Sequence, residues 1–309
     1  MRVAVVDIGT NSTRLLIADV GDGGALEELC RESIVTRLGA QVDATGRLRD
    51  DAMQRVFDTL ARFRGLIDEH GATATTAVLT SAVRDAANGS EFTAAVRERY
   101  DLDARTIAGD EEAALTFAGA TSERADTGDE VLVVDIGGGS TEFVTGCKGA
   151  VDFHVSTQAG VVRQTERHID HDPPHPDEVD SVRREVAQII RDNVPAEHRR
   201  RVALGIAVAG TATSCAAIEL GLDPYDRALV HGHVLRRTIC RGILDRLSRM
   251  TESERRAVTG LQPDRAPTIV AGVAMLLEVM DAFGLEDIEV SEHDILRGAA
   301  LRLASVDRR

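Results

Sequence analysis

Four apolar residues in a row, Val3-Ala4-Val5-Val6, end in Asp7-Ile8-Gly9. A second run, Val131-Leu132-Val133-Val134, ends in Asp135-Ile136-Gly137, 128 positions later. Short continuous apolar runs of this kind read as buried strands. Apolar stretches at 15–20 and 34–35 follow the first run, and stretches at 141–146 and 150–156 follow the second. Each half therefore opens with a predicted three-stranded antiparallel meander, with Gly21-Asp22-Gly23-Gly24 as a turn in the first. Residues 48–70 place Met53, Val56, Phe57, Leu60, Phe63, Leu66 and Ile67 on one face of a helix, which Gly71 closes. The pattern goes on with a strand at 75–79, a loop at 80–89, a helix at 90–100, a strand at 104–107 and a helix at 111–119. In the second half it predicts helices at 159–168 and 177–193, a strand at 205–209, and helical stretches at 234–247, 252–259 and 264–283. A short strand at 288–290 and a last helix at 295–305 complete it. Residues 121–129 are polar and read as a linker between two domains.

The two strand ends share more than their apolar approach. Asp7, Ile8, Gly9, Ser12 and Thr13 coincide with Asp135, Ile136, Gly137, Ser140 and Thr141. The next position changes sign, from Arg14 to Glu142. Two matched strand-Asp-x-Gly turns, each opening a half-chain, indicate duplicated halves facing a common cleft. Glycines let backbone approach a ligand closely, and successive amides in such turns form anion-binding concavities. Carboxylates beside a phosphate loop make chemical sense when a divalent cation neutralises them or when one of them moves a proton.

Composition narrows the partners. The net charge is −15 and Lys148 is the single lysine, so the cationic side chains are otherwise arginines. That balance argues against non-specific binding to nucleic acid or to anionic membranes. It leaves room for a local phosphate site built from arginine forks. Trp is absent and aromatics are scarce, so there is no base-stacking platform. No apolar run reaches membrane-spanning length, and the first strand begins too early to leave room for a signal peptide. Four scattered cysteines without a CxxC pair read as reduced thiols, and the expected location is the cytoplasm. The histidines and prolines of 168–176 read as an exposed loop rather than a metal site. Gly210-Thr211, at a strand-to-helix junction, reads either as a plain helix start or as a phosphate contact. Acids open the 111–119 helix, with Asp110 as a candidate N-cap and Glu111 and Glu112 favoured by the helix dipole. A homodimer is the default for any assembly.

Taken in order, several segments resemble the Ppx/GppA family of exopolyphosphatases and guanosine pentaphosphate phosphohydrolases, within the actin-like ATPase superfamily. They are Asp7 to Ser12, Arg37-Leu38-Gly39, Thr80 to Ala86, Gly109-Asp110-Glu111-Glu112-Ala113, Asp135 to Glu142, Gly160 to Glu166, Arg265 to Gly272 and Ser291 to Arg297. The resemblance implies an α/β fold of two actin-like, ribonuclease H-like domains, 1–122 and 123–309, with the final helix packing back on the first. It implies hydrolysis of a terminal phosphoanhydride with Mg²⁺ or Mn²⁺. It assigns Glu112 as catalytic base and Glu142 as orienting water or metal. Asp135, Gly137, Glu142 and Asp7 match metal or first-loop positions. Gly9, Thr10, Asn11, Ser12, Arg14, Arg84, Gly138, Gly139, Ser140 and Thr141 would contact phosphate. The chain resembles the two-domain core and not the C-terminal helical region of long members, so tight grip on very long chains is not expected.

The leading expectation is thus an exopolyphosphatase acting on inorganic polyphosphate. A pppGpp 5′-phosphohydrolase of alarmone metabolism and a non-catalytic sensor of (p)ppGpp or polyphosphate are the alternatives. An ATP-dependent kinase of the same fold is disfavoured by the lack of an adenosine-binding signature beyond Gly210-Thr211. Closure of the two domains about 121–129 on ligand binding is expected with each reading.

Overall fold

The computed structural model describes residues 1–306 except 22–23, 126–127 and 148. Part of the 21–24 turn and part of the 121–129 stretch therefore lie outside the described residues, as does Lys148. The chain divides into two units, one made of Met1–Ser122 and the segment from Asp294 onward, the other of Glu123–His293.

In the first unit, β1 (Arg2–Ile8), β2 (Ser12–Val20), β3 (Leu26–Val35), β4 (Ala74–Leu79) and β5 (Asp103–Thr106) form a sheet in the order β3-β2-β1-β4-β5. The first three strands are an antiparallel meander, and β4 and β5 add in parallel. Side chains alternate across a strand, so Ala4, Val6 and Ile8 enter one apolar cluster while Val3 and Val5 enter another. Both faces of β1 are buried, which is why its sequence is continuously apolar rather than alternating. The helices Asp50–His70 and Gly89–Tyr100 cover the first face; Gly109–Thr121 and Ile295–Val306 cover the second.

The second unit repeats this plan. β6 (Val131–Ile136), β7 (Thr141–Cys147) and β8 (Ala150–Thr157) form the meander, β9 (Leu204–Val208) and β11 (Asp287–Val290) add in parallel, and β10 (Val234–Arg236) closes the edge in antiparallel. The duplication reaches an irregularity: the register slips between Ile17 and Ala18 and again, 128 residues on, between Thr145 and Gly146. Helices Pro176–Asn193, Ala209–Leu220, Arg237–Leu247 and Ile269–Phe283 build the core of this unit against Leu132, Val134 and Ile136. Among the described residues no helix is long and apolar enough to cross a membrane.

Three local expectations are corrected. The predicted loop 80–89 holds a short helix, Ser81–Asp85. The predicted helix at 234–247 starts with strand β10, and its helical part begins at Arg237. Leu235 is buried like Cys240, Ile243, Leu244 and Leu247, so the apolar spacing runs unbroken through the strand and disguises it. Asp110 does not cap its helix; Ala108 takes that position and Asp110 lies in the first turn.

Candidate active site

The two turns are built alike. The Gly9 amide donates to Ser12 O at 3.0 Å, and the Gly137 amide donates to Ser140 O at 3.0 Å. Those two amides are engaged inside their turns, which leaves the amides that follow as candidates for anion contact. Each turn also rests on a segment from elsewhere in its own unit. The amides of Thr36 and Arg37 donate to Asn11 O, and that of Gly39 to Thr10 O. In the second unit the amides of Val161 and Val162 donate to Gly137 O and Gly138 O, and Arg163 Nε reaches Gly139 O at 3.0 Å. The bonds from Val161 and Val162 satisfy donors that the N-terminus of the helix Val161–His168 leaves unpaired. A glycine permits each close approach. A Cβ on Gly39 would lie 2.2 Å from Thr10 Cγ2, and one on Gly160 would lie 2.3 Å from Gly138 O.

Charge separates them. Asp7 stands opposite Arg14 across β1 and β2. Arg14 Nε donates to Asp7 Oδ2 at 2.9 Å, and its Nη1 donates to Asp294, which also caps the last helix through Leu296 N at 3.0 Å. Asp7 is 3% exposed. Burial raises its pKa above the ordinary carboxylate value, while Arg14 pulls the other way. At the equivalent place in the second turn, Asp135 stands opposite Glu142. Both carboxylates are buried, at 7% and 1% exposure. Ser156 Oγ donates to Glu142 Oε1 at 2.7 Å. Like charges directly opposite on neighbouring strands oppose pairing, so this turn concentrates negative charge that the first turn balances with its own arginine.

The first unit brings together most of its predicted groups. Thr10 Oγ1 shares a hydrogen bond of 2.8 Å with Ser81 Oγ, and Ser81 opens the short helix that carries Arg84. Arg84 Nη1 donates to Glu112 Oε2 at 3.1 Å and to Ile107 O at 3.0 Å. Glu112 is 7% exposed. Turn, arginine and candidate base are thus linked through Ser81. Glu111, one residue earlier, has a structural role: Arg105 Nη1 donates to both its oxygens at 2.7 Å, Arg302 to Oε1 at 2.5 Å, and its pKa is lowered even though burial alone would raise it.

Other predicted positions are held differently. The Thr10 hydroxyl is engaged by Ser81, and Thr141 Oγ1 donates to Ala159 O at 2.6 Å. Gly210 lies beneath the Arg265 guanidinium, 1.1 Å from where a Cβ would sit. The histidines of 168–176 form no metal-ligating group among the described residues; His171 and His168 meet Glu178 and Glu185. Ser81, Ser156 and Asp294 are not among the residues the sequence nominates. Ser81 and Asp294 do lie inside the segments that carried the resemblance, which was the available signal.

The residues suit a divalent cation. Asp7 Oδ1 is buried and has no hydrogen-bond partner among the described residues, an arrangement that a cation or a water would satisfy. Oxygen donors of this kind suit a hard ion.

Known proteins resemble this chain over nearly its whole length. The model of the Ppx/GppA phosphatase family matches residues 16–304. Exopolyphosphatase 2 of Mycobacterium tuberculosis is 38% identical to the chain over 318 aligned residues, covering 98% of each. The crystal structure of the Aquifex aeolicus member of the Ppx/GppA family is 31% identical, with a TM-score of 0.82 over 100% of this chain and 99% of that one. A crystal structure of an exopolyphosphatase-like protein is 34% identical, with a TM-score of 0.90 over 97% and 98%. These likenesses identify the fold as actin-like α/β.

Proposed function

We infer that this chain, which belongs to the Ppx/GppA phosphatase family, is an exopolyphosphatase that releases orthophosphate from the ends of inorganic polyphosphate with Mg²⁺ or Mn²⁺. The observation that carries the reading is the buried pair Asp135 and Glu142, placed opposite each other beside a glycine turn. Phosphoryl transfer asks a protein mainly for positioning and for balancing charge. Asp135 and Glu142 would hold a divalent cation, which when bound neutralises phosphate charge and orients its oxygens.

The chain's own groups supply the rest. The amides that follow Gly9 and Gly137 hold phosphate oxygens. Arg84 neutralises charge on the terminal phosphate. Glu112, which accepts from Arg84, takes a proton from the attacking water. The water oxygen bonds to the terminal phosphorus, and the bridging P–O bond breaks. Orthophosphate departs and the shortened chain keeps the bridging oxygen. Ser156 fixes the orientation of Glu142.

The test is orthophosphate release with Mg²⁺ from short polyphosphate, long polyphosphate and pppGpp side by side. Release from polyphosphate is expected, and Glu112→Gln should lower it by about 10²–10⁴-fold while leaving the melting temperature near that of the parent. Release from pppGpp alone would move the activity to alarmone turnover. Unchanged release by Glu112→Gln would remove that residue from the chemistry.

A further inference from the structure

Strand β6 carries Asp135 near its end, and a second polar cluster lies at its start. Glu130 precedes the strand, Asp152 lies on β8, and His198 lies on the short helix Ala196–Arg201. One ligand atom from each of the three lies within 4.8 Å of the others. At a rise of about 3.3 Å per residue, this cluster is roughly 16 Å along β6 from Asp135.

Its hydrogen bonding is incomplete. Arg201 Nη2 donates to Glu130 Oε2 at 3.2 Å and Nη1 to Asp152 Oδ2 at 3.0 Å. Glu130 Oε1 and His198 Nδ1 are buried, and neither has a hydrogen-bond partner among the described residues. The Glu130 side chain is only 8% exposed. His198 Nδ1 approaches Asp152 Oδ2 at 3.5 Å without forming a bond, and its ring stacks on Phe153 at 4.5 Å between centroids. A buried carboxylate oxygen and a buried imidazole nitrogen left idle beside each other are costly. One cation would satisfy both, because each offers a lone pair.

The donor set indicates which cation. Mg²⁺ prefers oxygen ligands and keeps several waters. Imidazole with carboxylates suits Zn²⁺, bound at about 2.0–2.2 Å in a tetrahedron completed by water. Drawing the three ligands from 4.8 Å onto one ion requires side-chain rotation, which Asp152, 44% exposed, has room to make. We propose that Glu130, Asp152 and His198 form a Zn²⁺ site, separate from the acids of the glycine turn, that fastens the start of β6, strand β8 and the Ala196–Arg201 helix to one another. Arg201 holds the second oxygen of Glu130 and so orients that ligand.

The test uses the full chain stripped of metal and titrated with Zn²⁺ by calorimetry in saturating Mg²⁺, which occupies oxygen-only sites. One Zn²⁺ equivalent is expected in the parent and in Glu142→Gln, and none in Glu130→Gln or His198→Ala. Zn²⁺ should raise the melting temperature of the first two proteins and not of the last two. Co²⁺ should give the visible bands of a four-coordinate site in the parent alone of the parent and Glu130→Gln. Glu130→Gln changes one atom and keeps the test valid if His198→Ala disturbs the Phe153 stack. Equal Zn²⁺ uptake by all four proteins would overturn the proposal, as would no uptake by the parent.

Discussion

The turns after β1 and β6 share a backbone and differ in one charge. Both close with a glycine amide on a serine carbonyl at 3.0 Å, and both rest on a segment whose glycine permits close approach. Facing Asp7 is Arg14; facing Asp135 is Glu142. The first turn carries its countercharge within its own unit in Arg14, which bridges Asp7 and Asp294. The second places two buried acids opposite each other. Duplication thus gave one backbone two charge patterns, and a single residue position, Arg14 or Glu142, separates them.

The largest expected effect on stability comes from breaking the first turn's balance. Arg14→Met leaves Asp7 and Asp294 buried without their shared guanidinium, and removal of one partner from a buried pair costs about 3–5 kcal/mol. Urea unfolding should show a loss of that order; a loss below ~1 kcal/mol would mean that these acids are neutral or hydrated. A smaller effect tests the bracing. Gly160→Ala places a Cβ against Gly138 O, and forcing an extra methyl into a packed site costs about 1–3 kcal/mol. The same change should lower phosphate release, because the displaced backbone is the turn itself. If stability falls and activity does not, the amides after Gly137 do not hold substrate.

The smallest effect concerns pH. Asp7 has a pKa raised by burial above its ordinary 3.8. The stability that its protonated form contributes is complete below that value and is lost as pH rises through the folded pKa. Asp7→Asn is uncharged at every pH, so its stability should fall less steeply just above pH 3.8 than that of the parent. Parallel curves would show that Arg14 cancels the burial.

Much of this architecture is legible in the sequence because it is written twice. The words Asp-Ile-Gly and Ser-Thr at one offset disclose the duplication, and the apolar runs that precede them disclose the strands. Helix Asp50–His70 is legible because its buried stripe persists through many turns. The helix Ser81–Asp85 is not, since five residues cannot establish a period. Strand β10 is hidden because Leu235 falls in step with the helix that follows. At the site, the Asp7–Arg14 pairing is set by the register of β1 on β2, which the apolar pattern, starting its second strand at Leu15, does not report. The Arg14–Asp294 contact joins residues 280 apart, and the Thr10–Ser81 bond joins residues 71 apart. No local pattern reports such partners; only the folded sheet brings them within reach.

The claim that the second turn's acids carry metal-dependent phosphate release is tested most directly by titrating Mg²⁺ against orthophosphate release from short polyphosphate, for the parent and for Glu142→Gln. The account predicts saturable activation by Mg²⁺ in the parent and activity reduced by at least ~10²-fold in the variant, without recovery at high Mg²⁺. Equal rates with the same Mg²⁺ midpoint in both proteins would contradict it.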